Sequence, residues 1–398
     1  MRLFRILLYI GVARLTRAVR FPVYYSALSG PCKVETGSQS NIVSFNPTGN
    51  CFNYGAILSF EGSGGMNSDT RYIFSTGELF QKDFSIVFRK EDGNIYFPVK
   101  DTRELYCFNE VTLSTKLMQL LAKAGIVVHF FGYYENYIGT FYPKEYLLSG
   151  RLTVAQALAY GNNRLTVAKP IVCGTAKNIH FVLYHYYRHG KSDLKEFLDW
   201  LHKSVPKLVD DTGDIKQLLR IEGAIWAGFY QTFREILPES FAMNKRVKRP
   251  PDNPINALIS FGNTLLYTKT ITEIYHTHLN QTISFLHEPA ERRFSLSLDL
   301  SEVFKPILVY RTIFDCVNNR KITVEKHFNK SLNYALLNDA GRKTFIEAFD
   351  ERLNQTFEHN TLKRRISFKQ AIRLDGYKLI KYILEGKKFV PFCMEDKK

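Results

Sequence analysis

An α+β fold in two domains, a small β-rich, β-sandwich-like amino-terminal domain followed by a larger all-α one, is predicted by three observations. Residues 70 to about 145 alternate short aromatic and β-branched runs with turn residues, the texture of strands. From Leu152 onward the apolar spacing changes to about 3.6, the helical period. Before both, a segment ending in GluGlySerGlyGly at Gly65 carries neither pattern.

The first 65 residues are expected to form an extension, not a domain. Their opening imitates a signal peptide, but the apolar stretch Ile6 to Ala13 is short, Arg14, Arg17 and Arg20 follow it, and no small-x-small cleavage site appears. The stretch is also too short to cross a bilayer, so no membrane association is expected. Ser29 to Gly65 is rich in Gly, Ser, Asn and Pro, typical of linkers or disordered chain. Met66 is the next methionine after Met1, so residues 1–65 read as a translated upstream region or a dispensable arm. A true appendage is the alternative.

The β-rich domain is placed at residues 66–145. Its strands are ArgTyrIlePhe, SerIleValPheArg, AsnIleTyrPheProVal, GluLeuTyrCysPhe and IleValValHisPhePhe, divided by LysAspPhe and GluAspGlyAsn turns. One helix is expected at Ser114 to Lys123, where Leu117, Leu120 and Leu121 recur at helical spacing behind SerThr capping residues. The aromatic residues from Phe130 to Tyr142 have strand spacing and read as sheet core more readily than as base-stacking platforms. A connector near Tyr142 to Gly150 leads to the helical domain, residues 151–398, in which LeuLysGluPheLeuAspTrpLeuHis and IleLysGlnLeuLeuArgIleGluGly set the period.

Composition narrows the function classes. Lys and Arg total 54 against 38 acids, a formal charge of +16, which points to polyanionic partners. At 45% hydrophobic and 14% aromatic the chain is folded rather than wholly disordered. Six cysteines without a CxxC spacing disfavour a zinc ribbon or a redox pair; reduced thiols and a cytoplasmic location are the simplest reading.

Chemistry concentrates in the run from Ile283 to Phe304, where His287, Asp299 and Glu302 stand among residues that otherwise read as core. Asp299 and Glu302 share a helical face at i,i+3, and a loop-like HisGluProAla segment brings His287 toward it. Upstream, Glu222 is the only charge between Arg220 and Arg234, on a helix whose apolar stripe is Leu218, Ile221 and Ile225. The small residues Gly223, Ala224, Ala227 and Gly228 beside it admit a close neighbour or a ligand. Carboxylates and an imidazole in apolar surroundings need partners, and a divalent cation such as Mg²⁺ or Mn²⁺ suits them. Taken singly, each of these residues is more often structural. His185, His189, His276 and His278 read as surface or supporting residues.

His287 followed by AspLeuSerGlu, with Glu222 on an Ala- and Gly-rich helix and ArgProProAspAsnProIleAsnAlaLeuIleSerPheGlyAsn between them, resembles the CRISPR-associated integrase and endonuclease numbered one among the CRISPR-associated proteins. TyrIlePheSerThrGlyGluLeu, GluValThrLeuSerThrLysLeu and the Val128 to Glu145 segment resemble that family's amino-terminal domain in its type I-B style. The resemblance implies that Glu222, His287 and Glu302 bind the metal, Asp299 contributing beside them, in an all-α catalytic domain. It implies joining of DNA 3′-hydroxyl ends to the CRISPR repeat by transesterification, with phosphodiester hydrolysis as the same displacement by water. A homodimer formed through the β-rich domain, and a complex with the small CRISPR-associated protein numbered two, follow from the same resemblance. Some relatives carry Asp in place of Glu302, an aromatic residue in place of Asn263 and Gly in place of Ala290. A DNA-binding architectural subunit without catalysis is the alternative function.

Two basic segments are candidate DNA contacts. Arg246, Lys248 and Arg249 lie in a loop before a helix starting near Asn253 to Asn256, between elements that carry the acidic residues. Arg365, Lys369 and Arg373 are four apart in LysArgArgIleSerPheLysGlnAlaIleArgLeu, hence on one face of the carboxyl-terminal helix, a DNA-lining stripe or merely a solvated face.

Overall fold

The computed structural model describes residues 69–132, 136–248, 250–289, 293–329, 335–359 and 361–394, together with the strand pair 44–45 and 51–52. The chain divides into two units, Met1–Gly65 and Met66–Lys398. The first contains β1 (Ser44–Phe45) and β2 (Cys51–Phe52), an antiparallel pair. The rest of the expected extension lies outside the described residues.

The second unit opens with β3 (Thr70–Ile73), β4 (Gly77–Lys82), β5 (Ser85–Lys90), β6 (Gly93–Pro98), β7 (Glu104–Cys107), β8 (Val111–Leu113), helix α1 (Thr115–Ala124), β9 (Val127–Phe131) and β10 (Tyr137–Phe141). These form two four-stranded sheets, ordered β10-β9-β7-β3 and β6-β5-β4-β8. The first holds the parallel pairs β3 with β7 and β7 with β9; in the second, β4 and β8 run parallel and the others antiparallel. Helix α1 starts where Ser114 Oγ accepts the Leu117 N–H, and it stops at Gly125, whose φ of +68° is the left-handed conformation glycine adopts without strain.

Alternation along β7 explains how the β-rich part joins the rest. Leu105 and Cys107 face a core shared with Leu79, Ile86 and Phe88 of the second sheet and with Leu117 and Leu121 of α1. Tyr106 and Phe108 point to the opposite face and enter the helical core with Phe131 and Phe261. Side chains of successive strand residues alternate, so one sheet serves two cores, and all four residues of β7 are buried as expected for a parallel strand covered on both faces.

The helices are α2 (Gly150–Arg188), α3 (Lys195–Asp199), α4 (Val205–Asp210), α5 (Ile215–Gln231), α6 (Phe233–Ile236), α7 (Pro254–Tyr275), α8 (Ser295–Glu302), α9 (Arg311–Asn318), α10 (Val324–His327), α11 (Asp339–Asn354) and α12 (Phe368–Glu385). Asp214 caps α5 through the Gln217 N–H, and Asn253 caps α7 with Pro254 in the first turn. Nearly all of α7 is buried, which makes it the central helix of the unit. Within α2, Asn163 leaves the helical region at φ −138° and ψ 30°, a kink that aims the following turn. Residues Lys305–Tyr310 form a π-helical stretch linking α8 to α9.

The helical region carries one hairpin among its helices. Strands β11 (Thr356–His359) and β12 (Arg364–Ser367) form an antiparallel hairpin between α11 and α12. Ser367 then caps α12 in a reciprocal capping box with Gln370, so Arg365 lies on a strand, not on the helix bearing Lys369 and Arg373. The expected single basic face therefore does not exist. Among the described residues, no helix is long and apolar enough to cross a membrane.

Candidate active site

Helix α8 is short and almost fully buried, and its two acids face different tasks. Asp299, wholly buried, accepts the backbone N–H of Phe285 at 2.6 Å and of Leu286 at 2.7 Å on Oδ2. Its Oδ1 accepts the His287 backbone N–H at 3.0 Å and lies 2.8 Å from His287 Nδ1. Both carboxylate oxygens are thus committed to the loop that carries His287. With Nδ1–H donating to Asp299, the ring turns its Nε2 outward as the atom able to coordinate a cation. Burial works against a protonated His287, but the hydrogen bond and charge of Asp299, with the charge of Glu302, raise its pKa above the usual value.

Arg164, just past the kink in α2, fastens the same loop. Its Nε donates to Phe285 O at 2.6 Å, Nη2 to Leu286 O at 3.0 Å and Nη1 to Glu288 at 2.6 Å. Nearby, Gln156 Nε2 donates to Asn280 O and Ile283 O at 2.8 and 2.9 Å.

Glu302, only 3% exposed, ends α8. Its Oε1 pairs with Lys305, while Oε2 is buried with no hydrogen-bond partner among the described residues. Lys305 also sits 5.7 Å from the centre of the Trp226 ring, one helical turn beyond Glu222 on α5. Burial raises the pKa of Glu222, and the Glu302 charge raises it further; Lys305, His287 and a Trp226 hydrogen bond pull the other way. The carboxylates of α5 and α8 therefore repel one another beside His287, an arrangement that a cation relieves. Among the described residues no three His, Cys, Asp or Glu side chains close into a ligand set, and the cation paired with Glu302 is Lys305.

The small residues around Glu222 divide. Gly228 must be glycine because a Cβ would sit 2.3 Å from the Phe197 ring, whereas Gly223, Ala224 and Ala227 face solvent. Asn263 lies beside the Tyr310 hydroxyl, itself 2.8 Å from that of Tyr230. Ala290 is outside the described residues.

The basic candidates separate in the same way. Lys248 is exposed; burial and the charges of Arg246 and Lys305 lower its pKa, opposed by Glu302 and Glu222, so its ammonium lies in the field of the site. Arg246 is turned inward, donating to Asn256 Oδ1 at 3.0 Å and Ser260 Oγ at 2.8 Å, and organises the loop rather than projecting from it. Arg249 is outside the described residues. Arg365 donates to Thr356 across the hairpin at 3.0 and 2.9 Å. Lys369 pairs with Asp69, and Arg373 with the buried Glu273 at 2.6 Å. The latter two tie α12 to β3's approach and to α7, an internal role that the four-residue spacing did not distinguish from a solvent-facing stripe. Of the other histidines, the exposed rings of His185 in the last turn of α2 and of His189 at its end lie 4.4 Å apart and tilted by 43°, and His278 meets Leu147 O at 2.6 Å.

The profile of the family described as CRISPR associated protein Cas1 matches residues 71–351. This chain belongs to the Cas1 family. It is similar to CRISPR-associated protein Cas1 1 of Methanobrevibacter ruminantium, 45% identical over 332 residues that make up 83% of this chain and 99% of that one. It is also similar to CRISPR-associated endonuclease Cas1 2 of Thermodesulfovibrio yellowstonii, at 42% identity over 81% of this chain and 97% of that one. Among solved structures, TM1797, a Cas1 protein from Thermotoga maritima, superposes with a TM-score of 0.71 at 33% identity, over 83% of this chain and all of that one. A chain of a Cas6-RT-Cas1–Cas2 complex shares the fold at a TM-score of 0.71 and 18% identity, over 85% of this chain and 37% of that one. The Cas1 fold thus accounts for the β-rich part followed by helices.

Proposed function

We propose that this Cas1-family chain is a metal-dependent DNA endonuclease and integrase of CRISPR adaptation, joining DNA 3′-hydroxyl ends to the CRISPR repeat. The observation that carries the reading is the convergence of Glu222 and Glu302 beside a His287 ring held by Asp299, with one Glu302 oxygen buried and unpartnered. Two carboxylates and one imidazole nitrogen are a fitting donor set for Mg²⁺ or Mn²⁺. When bound there, the ion polarises the attacked phosphate and stabilises the charge that develops on it.

The chain's own residues supply position. Asp299 and Arg164 fix the His287 loop, so the imidazole meets its ligand without loss of ring freedom at the moment of binding. Lys248 offers a cation for a DNA phosphate at the rim. Lys305, paired with Glu302 Oε1 and set over the Trp226 ring, keeps a positive charge beside the acidic pair. The attacking group belongs to the DNA, so no protein nucleophile is needed. Partners in this reading are DNA, a second copy of the chain and the small Cas2 protein, the last supported by the Cas1–Cas2 composition of a complex with the same fold. Pairing of copies through the β-rich part is favoured by Phe84 at 91% exposure and by Ile95 and Tyr96 on the edge strand β6.

The test is strand transfer with the purified chain, its Cas2 partner, a short duplex and a repeat-bearing plasmid, with and without Mn²⁺. Glu222→Gln, His287→Ala and Glu302→Gln are each expected to abolish metal-dependent joining while leaving duplex binding close to wild type. Normal joining by His287→Ala would refute the site. Absence of joining by the wild-type complex, with DNA binding intact, would favour the architectural alternative.

A further inference from the structure

The end of α8 is held by a part of the chain far from it in sequence. The last turn of a helix leaves carbonyls without intrahelical partners, and here the Val303 carbonyl, one residue past Glu302, is taken by Asn178 Nδ2 at 2.6 Å. The same amide group donates to Phe392 O at 3.2 Å, and Asn178 Oδ1 accepts the Met394 N–H at 2.8 Å. Asn178 is fully buried in the second half of α2 and bridges the Glu302 turn to the carboxyl-terminal segment.

That segment is fixed at a second point and stacked at a third. The Phe392 N–H donates to Asp375 Oδ2 at 2.7 Å, and Asp375, fully buried, pairs with Lys378 at 2.8 Å. The Phe392 ring stacks on Phe304 with centroids 5.0 Å apart and planes 7° from parallel. Gly174, one turn before Asn178, keeps the layers close: a Cβ there would stand 3.1 Å from Val303 Cγ1 and 3.2 Å from Pro391 Cγ.

We infer that residues 389–394 form a strap that positions Glu302 through the Val303–Phe304 turn, with Asn178 and Phe392 as positioning residues. Resting on the metal reading of the site, the inference adds that the cation affinity of Glu302 depends on a segment that never touches the ion. Asn178 holds main-chain atoms of both the strap and the Val303 turn, and the Phe392 ring, which also meets Phe357 and Phe368, stacks on Phe304, so together they fix the backbone from which Glu302 projects. A carboxylate so held meets an ion without ordering cost, and releasing it weakens binding without removing a ligand.

The experiment compares the full chain with Phe392→Ala, Phe392→Leu and Asn178→Ala, reading amide hydrogen exchange by mass spectrometry and Mn²⁺ affinity by electron paramagnetic resonance. Phe392→Ala and Asn178→Ala are expected to lose protection across Leu300 to Lys305 and to weaken Mn²⁺ binding about tenfold or more. Phe392→Leu, which keeps most of the apolar volume, should recover part of both. Duplex DNA affinity should not move. Wild-type exchange and Mn²⁺ affinity in Phe392→Ala, with only its melting temperature lowered, would overturn the strap and leave mere packing. Should the alanine variants fail to fold, Phe392→Leu, which lacks the stacked ring, gives the same two readings at smaller amplitude. A wild-type chain that binds no Mn²⁺ would sink the metal reading, and exchange alone would then decide the strap.

Discussion

Asp299 and Glu302 differ by one helical turn and have opposite roles. Asp299 spends its charge on three backbone N–H groups and one imidazole, and Glu302 keeps an oxygen in reserve. Asp299→Asn replaces one acceptor oxygen with an NH₂ that faces donors. The variant is expected to lose about 1–3 kcal/mol or more in urea unfolding, the cost of buried groups left unsatisfied. The His287 pKa should fall, because the Asp299 hydrogen bond and charge are what raise it against burial; ring NMR titration reads this directly. An unchanged unfolding midpoint would mean that Asp299 does not hold the loop. Glu222, His287 and Glu302 stood out as candidates in the sequence because charged and polar groups are conspicuous among apolar neighbours. Arg164 and Asn178 were not, since they act on main-chain carbonyls 121 to 125 residues away, and no local pattern encodes such a partner.

At the scale of elements, β7 and α7 are joined by an ion pair with almost no solvent contact. Lys269 pairs with Glu104, Thr70 Oγ1 donates to Glu104 at 2.7 Å, and Lys269 Nζ donates to Thr70 Oγ1 at 2.9 Å. Burial alone would raise the pKa of Glu104; the charges of Lys269 and Lys369 instead bring it down to about 2. His129, lowered to about 3 by burial, is neutral near pH 7 and bonds Thr140 and Thr272 at 2.9 Å each. A carboxyl with a depressed folded pKa contributes stability that is complete above its unfolded value, here 4.5, and that is lost as pH falls toward about 2. Lys269→Met should therefore cost about 3–5 kcal/mol near neutrality by leaving the buried Glu104 without its paired cation. The pair Glu104→Gln with Lys269→Met should recover much of that and flatten the acid limb of the unfolding curve between pH 4.5 and about 2. If Lys269→Met unfolds like wild type at both ends of that range, the pair does not join the two elements.

The elements themselves were partly legible. Strand alternation and the SerThr cap located β5, β7, β9 and α1, because those patterns are local. The hairpin of β11 and β12 escaped because its basic strand mimics the register of the helix after it. Its boundary was nevertheless written in SerPheLysGln, a capping-box spacing. The sharing of one sheet by two cores was not visible, since periodicity says which residues alternate but not what covers each face.

For the whole molecule, the question is which part of the chain carries the fold. The family match begins at residue 71, and 83% of this chain accounts for 99% of the Methanobrevibacter ruminantium relative. The described residues of both cores of the unit Met66–Lys398 follow Met66. Cores built from that unit are expected to keep their buried apolar area when residues 1–65 are removed, so stability should be insensitive to them. A chain beginning at Met66 is therefore expected to melt at the same temperature as the full chain and to give the same rate of strand transfer in the presence of Cas2 and Mn²⁺. Calorimetry and the joining assay check the two halves of this expectation separately. A marked fall in melting temperature would make residues 1–65 part of the folded unit. Unchanged melting with lost joining would instead assign them a role in substrate or partner binding, for which their Arg14, Arg17 and Arg20 are the first residues to substitute.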